Sequence, residues 1–136
     1  MTADPWTWLV AGLQVATALG IAAFWVAWFR QTHDEEWLPE GYVQHERAFV
    51  VPDVTLAVLL VSSAGLLLAE SPLGPKLSLV CAGMLAFLGL LDAAYFWQTG
   101  LFARERGGLA NAAVVAALLA VSVVLLVTFV RGPGGP

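Results

Sequence analysis

Four long apolar blocks constrain the fold of this chain more than any other sequence feature, because they leave few residues to form a water-soluble surface. Residues 6–29 and 109–130 contain no charged side chain, residues 77–97 contain one, and residues 54–69 form a shorter block. A helix that crosses a bilayer needs about 20 apolar residues. Charged residues make up only 12% of the chain, whereas soluble domains usually carry about 25%. The sequence therefore predicts a chain that is dissolved in lipid.

The same blocks determine the expected fold class. Only helices and closed barrels cross the hydrocarbon layer, because unpaired backbone polar groups are costly there. The blocks lack the apolar–polar alternation that is typical of barrel strands. We therefore expect an all-α fold, an integral membrane four-helix bundle in which residues 1–136 form a single domain. The predicted helices cover about residues 6–29, 52–69, 77–99 and 109–130, and residues 30–51 form a long surface loop.

Lysine and arginine are distributed unevenly between the two predicted membrane faces. The loops at residues 30–51 and 100–108 together carry four arginines, whereas the other face carries Lys76 and Arg131. Loops that are richer in Lys and Arg usually remain in the cytoplasm. The count predicts a multi-pass protein of the cell membrane, with both termini outside and both arginine-bearing loops in the cytoplasm.

Two features of the first predicted helix bear on its surroundings. Gly12, Ala16 and Gly20 recur every four residues, and small residues allow helices to approach closely in lipid. We expect this small-residue face to pack inside the bundle, with a dimer interface as the alternative. Tryptophans near both ends of the helix are typical of the aromatic belts at membrane interfaces. These tryptophans are Trp6, Trp8, Trp25 and Trp28.

Several kinds of chemistry lack the residues they need. Cys81 is the only cysteine, so the chain cannot by itself exchange electrons between cysteine pairs. Both histidines, His33 and His45, lie in the predicted loop, which disfavours a haem held between helices. The acidic and histidine side chains of residues 33–46 match no metal-binding spacing. No basic run is present to neutralise phosphates. We expect no cofactor, no metal and no nucleic-acid partner.

Asp92 is the most informative residue, because it lies inside the third apolar block. It precedes Thr99 by seven residues, which places it ~10 Å inside the predicted helix end. An ionisable group at that depth usually faces protein or water. We therefore expect the protein to enclose Asp92, with Gly89 leaving room beside the carboxylate and Tyr95 offering a hydroxyl.

Other polar side chains should gather at the membrane face where the second predicted helix begins and the third ends. Arg47 could reach Asp92 or Asp53 there, because a bidentate arginine–carboxylate pair suits a site of low dielectric constant. Such a pair either pins the long loop to the bundle or lines a pocket that opens to the cytoplasm. We assign no catalytic residue. The candidate ligand-binding or ion-pair residues are Asp92, Arg47, Asp53, Glu46, Tyr95, Trp97 and Gln98.

Four short helices with carboxylates near one end, here Glu46, Asp53 and Asp92, are loosely similar to two families. These are the DoxX-like small bacterial membrane proteins and the EXPERA group, which includes sterol isomerases and ligand-binding proteins. Residues 46–53 and 91–95 also resemble signatures of a family of small bacterial four-helix membrane proteins. The EXPERA likeness implies a lipophilic ligand and, in its isomerase form, acid–base chemistry.

The preferred hypothesis is a small, non-catalytic membrane protein that binds a hydrophobic or amphipathic small molecule near Asp92 and Arg47. One alternative is a structural or accessory subunit, whose small-residue faces contact another membrane protein or a second copy of the chain. A second alternative is a membrane enzyme of isomerase type, with proton transfer by Asp92, Asp53 or Glu46. The last is a pathway for a solute or for protons, since membrane-buried carboxylates can relay protons. The lipid bilayer is a partner in all of these hypotheses.

Overall fold

The computed structural model describes residues 3–131 of the chain. Every regular element in this range is helical, which confirms the predicted all-α class. Four segments are long and apolar enough to cross a membrane: Pro5–Arg30, Tyr42–Leu68, Leu73–Thr99 and Gly108–Phe129. The α-helices are α1 (Pro5–Arg30), α2 (Tyr42–Arg47), α3 (Val50–Leu68), α4 (Leu73–Thr99) and α5 (Gly108–Phe129), and a short 3₁₀ helix covers Arg104–Arg106.

The chain divides into two compact units, whereas the sequence predicts a single domain. The N-terminal unit is Met1–Leu77 and the C-terminal unit is Ser78–Pro136. The boundary between the two units falls within α4 (Leu73–Thr99), because the residues on each side of position 77 contact residues of their own unit more than those of the other unit. The two units are therefore described separately.

All four long helices begin earlier than predicted, by one residue in α1 and α5, two in α3 and four in α4, and the predicted long loop contains a helix. α3 begins at Val50 and α4 at Leu73, because Pro52 and Pro75 each occupy the third position of their helix. Proline is tolerated throughout the first turn, where backbone N–H groups have no partner within the helix. α2 lies inside residues 30–51, so the connection without regular structure is shorter than expected.

The first turn of α1 shows how its start is fixed. Asp4 is the N-cap, and its Oδ1 accepts a hydrogen bond from the Thr7 backbone N–H at 2.7 Å. Pro5 follows at the first helical position, where its fixed φ suits the helix. The hydrogen bond from Thr7 holds the pKa of the Asp4 carboxyl below its usual value. The cap therefore remains charged and complements the helix dipole.

In the N-terminal unit, α1 packs against α3. A hydrogen bond from Trp25 to Asp53 joins the end of α1 to the start of α3, so the two helices run antiparallel. Buried side chains on both helices recur at spacings of three and four residues, as in the seam of a coiled coil. They are Ala11, Gln14, Ala18, Trp25 and Trp28 on α1, and Leu56, Leu60, Ser63 and Leu67 on α3.

The small-residue face of α1 is not part of this seam. Gly12, Ala16 and Gly20 are all exposed, and a Cβ added at either glycine would meet nothing within 4 Å. The prediction that this face packs inside the bundle is therefore wrong. The buried face of α1 instead carries Ala11, Gln14, Ala18, Trp25 and Trp28, which combine small and large side chains.

A Schellman motif ends α3 with an unusual residue. The Ser71 N–H donates to the Leu66 carbonyl at 2.9 Å, and the Glu70 N–H donates to the Leu67 carbonyl at 3.0 Å. The motif requires a left-handed residue, usually glycine, at the position of Glu70. Glu70 has a φ of 56°, the only positive φ at a non-glycine residue in the described part of the chain. Its Cβ makes this conformation costly.

We expect Glu70→Gly to raise the free energy of unfolding by about 0.5–1 kcal/mol, because glycine adopts this conformation without steric penalty. Glu70→Ala removes the same charge but retains a Cβ, so it should leave stability almost unchanged. Thermal unfolding of both variants in the same detergent measures the difference. Equal melting temperatures for the two variants would show that Glu70 is not strained.

In the C-terminal unit, polar side chains join α4, α5 and the segment between them. The Ser122 hydroxyl on α5 donates to the Ala82 carbonyl of α4 at 2.7 Å, and Ser122 is only 2% exposed. The Asn111 amide donates to the Leu101 carbonyl at 2.7 Å. These bonds satisfy backbone carbonyls that lipid cannot satisfy.

Candidate functional site

A group of aromatic and acidic side chains lies where α1 ends and α3 begins. We call it the tryptophan–carboxylate cluster and define it as Trp25, Trp28, His33, Tyr42 and Asp53. Trp25 donates its indole N–H to Asp53 Oδ2 at 2.9 Å. Trp25 is only 6% exposed and Asp53 is partly buried. A buried indole N–H usually finds such a partner, and here the partner is a carboxylate.

The connection after α1 folds back onto Trp28. The His33 ring stacks on the Trp28 ring, with centroids 4.2 Å apart and an interplanar angle of 27°. The Nε2 atom of His33 lies 3.0 Å from the Trp28 carbonyl oxygen, which is among the last carbonyls of α1. The Trp28 indole N–H points to the Tyr42 hydroxyl at 3.5 Å. Trp28 therefore joins α1, the connection and α2.

Glu46 and Asp53 lie on one face of a nearly continuous helical path. The Ala48 N–H donates to the Gln44 carbonyl at 3.2 Å, and the Asp53 N–H donates to the Phe49 carbonyl at 2.8 Å, so α2 leads into α3 with only a short interruption. Residues separated by three, four or seven positions share one helix face. Glu46 is 5% exposed and Phe49 is 8% exposed. This face therefore carries two carboxylates with an aromatic ring between them.

The cluster has the chemistry to hold a polar group that belongs to an otherwise apolar molecule. Carboxylate oxygens accept hydrogen bonds from ammonium or hydroxyl groups, and charged acceptors make the stronger bonds. The faces of tryptophan and tyrosine rings attract cations. Within the described residues, no group of three or more His, Cys, Asp or Glu side chains could hold a metal ion.

The structure brings together only some of the residues that the sequence singles out. Asp53 belongs to the tryptophan–carboxylate cluster, and Glu46 lies seven residues before it on the same helix face. Arg47, between them in sequence, is exposed. The other candidates lie on α4 in the C-terminal unit: Asp92 and Tyr95 are partly buried, Trp97 is 80% exposed and Gln98 is exposed. The pairing of Arg47 with Asp92 stays a prediction.

The expected space beside Asp92 is occupied. A Cβ added at Gly89 would lie 2.9 Å from Cδ2 of Leu119 on α5. Gly89 is buried and lets α5 approach α4 closely. The expectation that Gly89 leaves room beside the Asp92 carboxylate is therefore wrong at Gly89 itself, because Leu119 of the same unit fills that room.

Sequence reasoning missed the tryptophans of this site. Trp25 and Trp28 are predicted as an interfacial belt, yet each is only 6% exposed. Trp6 and Trp8, at the other end of α1, are 53% and 58% exposed, as a belt requires. The sequence signal that could have identified their burial is heptad spacing. Trp25 follows Ala11 and Ala18 at intervals of seven residues, and Trp28 follows Gln14 by two heptads.

No protein-family model, curated protein or solved structure matches the chain. The likeness to DoxX-like and EXPERA proteins therefore stays a prediction.

Proposed function

We propose that this chain is a multi-pass integral membrane protein that binds an amphipathic small molecule at the tryptophan–carboxylate cluster. Four helical segments of sufficient length and apolar character support the membrane assignment. The uneven distribution of arginines supports a cytoplasmic position for the end of the N-terminal unit that carries Arg30 and Arg47. The protein is not an enzyme in this proposal.

The Trp25–Asp53 contact is the observation that carries the binding proposal. Trp25 lies five residues before the end of α1, so the contact lies ~7.5 Å inside that end. A carboxylate at this depth meets the region where a bilayer changes from headgroup to hydrocarbon. An amphipathic molecule also has its polar group at this depth, with its apolar part extending along the helices.

The second carboxylate supports the same assignment. Glu46 lies seven residues before Asp53 on the same helix face, which places it ~10 Å nearer the aqueous side. Two carboxylates on one helix face, with Asp53 in contact with Trp25, favour a ligand whose polar group is an amine or a hydroxyl, because a carboxylate accepts hydrogen bonds from both groups.

Asp53→Asn tests the proposal, with dodecylamine as the probe. Asparagine retains an oxygen that can accept the Trp25 N–H, so the fold should persist while the charge is lost. We expect dodecylamine to bind roughly tenfold more weakly or worse, since hydrogen bonds to charged groups contribute about 1.5–3 kcal/mol. Native mass spectrometry of the purified protein in a non-ionic detergent measures this change.

Glu105→Gln is the matched control for this experiment. Glu105 is an exposed carboxylate in the 3₁₀ helix of the C-terminal unit, so its loss changes the net charge equally while every residue of the cluster is retained. Dodecylamine should bind this variant as it binds the unmodified protein. Equal binding by Asp53→Asn and the unmodified protein, or equal losses in both variants, would contradict a site at Asp53.

A structural or accessory subunit is the second candidate function. Its support is the exposure of small residues, which could bring another membrane helix close to the chain. Lack of specific amphiphile binding in the experiment above would favour this candidate. The exposed small residues are Gly12, Ala16 and Gly20 on α1, and Ala112, Ala113, Ala116, Ala117 and Ala120 on α5.

A further inference from the structure

Arg47 lies just before an exposed stripe of apolar side chains in the sequence. The stripe continues from Arg47 at spacings of three and four residues, so its members share one side of the α2–α3 path. All of its valines are more than half exposed, and Arg47 is exposed as well. The stripe consists of Val51 (74%), Val54 (52%), Val58 (60%) and Val61 (51%).

Arg30 has a similar position on α1. It is the last residue of α1 and is exposed. Val26 and Phe29, four residues and one residue before it, are each 53% exposed. Arg30 therefore follows, and Arg47 precedes, exposed side chains that need an apolar environment.

The Trp25–Asp53 contact shows that the two arginines lie at about the same height. Arg30 follows Trp25 by five residues, and Arg47 precedes Asp53 by six residues. At 1.5 Å per residue, both lie roughly 7–9 Å beyond that contact. Since α1 and α3 are antiparallel, both displacements point toward the same end of the N-terminal unit. The backbones of Arg30 and Arg47 thus lie at about one level, next to the exposed apolar side chains of their helices.

We infer that Arg30 and Arg47 bind the phosphate groups of phospholipids that surround the N-terminal unit. A guanidinium matches phosphate geometry through paired hydrogen bonds. The aliphatic part of the arginine side chain can cover apolar surface while the charge remains in the headgroup layer. This inference rests on the proposed membrane insertion, but it does not depend on amphiphile binding at Asp53.

The acidic residues at the same end select the headgroup. Asp34, Glu35, Glu36 and Glu40 follow Arg30 in the connection to α2, and all four are exposed. They outnumber the two arginines, so an anionic headgroup meets repulsion there. A zwitterionic headgroup presents its phosphate to the arginines and its ammonium group to the carboxylates. The partner is therefore a zwitterionic phospholipid with an ammonium group, such as phosphatidylethanolamine.

Native mass spectrometry with added lipids tests this inference. The probes are phosphatidylethanolamine and phosphatidylglycerol with identical acyl chains, added to the full-length protein. We expect phosphatidylethanolamine to bind the unmodified protein more tightly, and the Arg30→Gln, Arg47→Gln double variant to bind it roughly tenfold more weakly or worse. The Gln31→Ala, Gln44→Ala double variant is the control, because it changes exposed neutral residues of the same segments.

Two results would overturn the inference: equal binding of phosphatidylethanolamine by the arginine variant and the control, or tighter binding of phosphatidylglycerol by the unmodified protein. A different result is expected if the chain is not inserted in a membrane: the unmodified protein would then be released from the membrane fraction without the addition of detergent. Dodecylamine binding should remain unchanged in the arginine variant, which separates the lipid contacts from the site at Asp53.

Discussion

Gly108→Ala is expected to destabilise the protein by about 3 kcal/mol and to lower its melting temperature by roughly 10 °C. Gly108 is the first residue of α5, and a Cβ at this position would overlap the backbone carbonyls of Phe102 and Ala103. The Gly108 N–H also donates to the Ala103 carbonyl at 2.9 Å, so the same segment is held against the helix start. Backbone atoms cannot rotate aside as a side chain can.

Gly83→Ala is the matched control for this prediction. Gly83 also lies in a helix of the C-terminal unit, but it is exposed and an added Cβ would meet nothing within 4 Å. This change should leave the melting temperature unchanged or raise it slightly, since alanine favours helices more than glycine does. Thermal unfolding in one detergent compares the two variants. Similar melting temperatures would show that the segment before α5 can move away from Gly108.

The number of long helices could be predicted from the sequence because each follows from the length of an apolar run. Their starting points could not, since proline suits several positions of the first turn. Pro52 is the predicted start of its helix, but the two residues before it already belong to α3. The same reasoning places the start of α4 too late, near residue 77. The residues that precede the predicted starts form the first helical turns of α3 and α4, whose backbone N–H groups need no partner within the helix.

The orientation of α1 was harder to predict, for a physical reason. In a soluble protein, contrast between polar and apolar faces identifies the buried side of a helix. α1 is apolar on all sides, so its composition gives no such contrast. Small residues at Gly12, Ala16 and Gly20 form the more visible pattern, yet the heptad that includes Gln14 and Trp25 is buried.

The candidate site was predictable only in part. Asp53 and Glu46 are recognised as candidates because carboxylates are rare in this chain. Their position on a common helix face could not be predicted, because residues 30–51 are predicted to form a loop. α2 is too short and too polar to give an apolar pattern of its own. It forms as an extension of α3, and the burial of Glu46 and Phe49 accompanies this extension.

Trp25→Ala is expected to have the largest effect in the N-terminal unit, a loss of about 3–5 kcal/mol in the free energy of unfolding. Trp25 is 6% exposed, and its ring meets Trp28 edge to face with centroids 5.4 Å apart. Alanine leaves a cavity in the seam between α1 and α3 and also deprives Asp53 of its hydrogen bond. Loss of packing and loss of the hydrogen bond therefore act in the same direction.

Trp25→Phe separates these two contributions, because it retains most of the ring but removes the N–H donor. We expect a loss of roughly 1–3 kcal/mol, since a partly buried carboxylate then lacks its partner. Trp8→Ala is the control: Trp8 is 58% exposed, so its removal should cost much less than the removal of Trp25. Unfolding of all three variants in the same detergent gives the comparison. Equal destabilisation by Trp8→Ala and Trp25→Ala would contradict this prediction. Tryptophans would then stabilise α1 through their contacts with the surrounding membrane or detergent, and the contact between Trp25 and Asp53 would not hold α1 to α3.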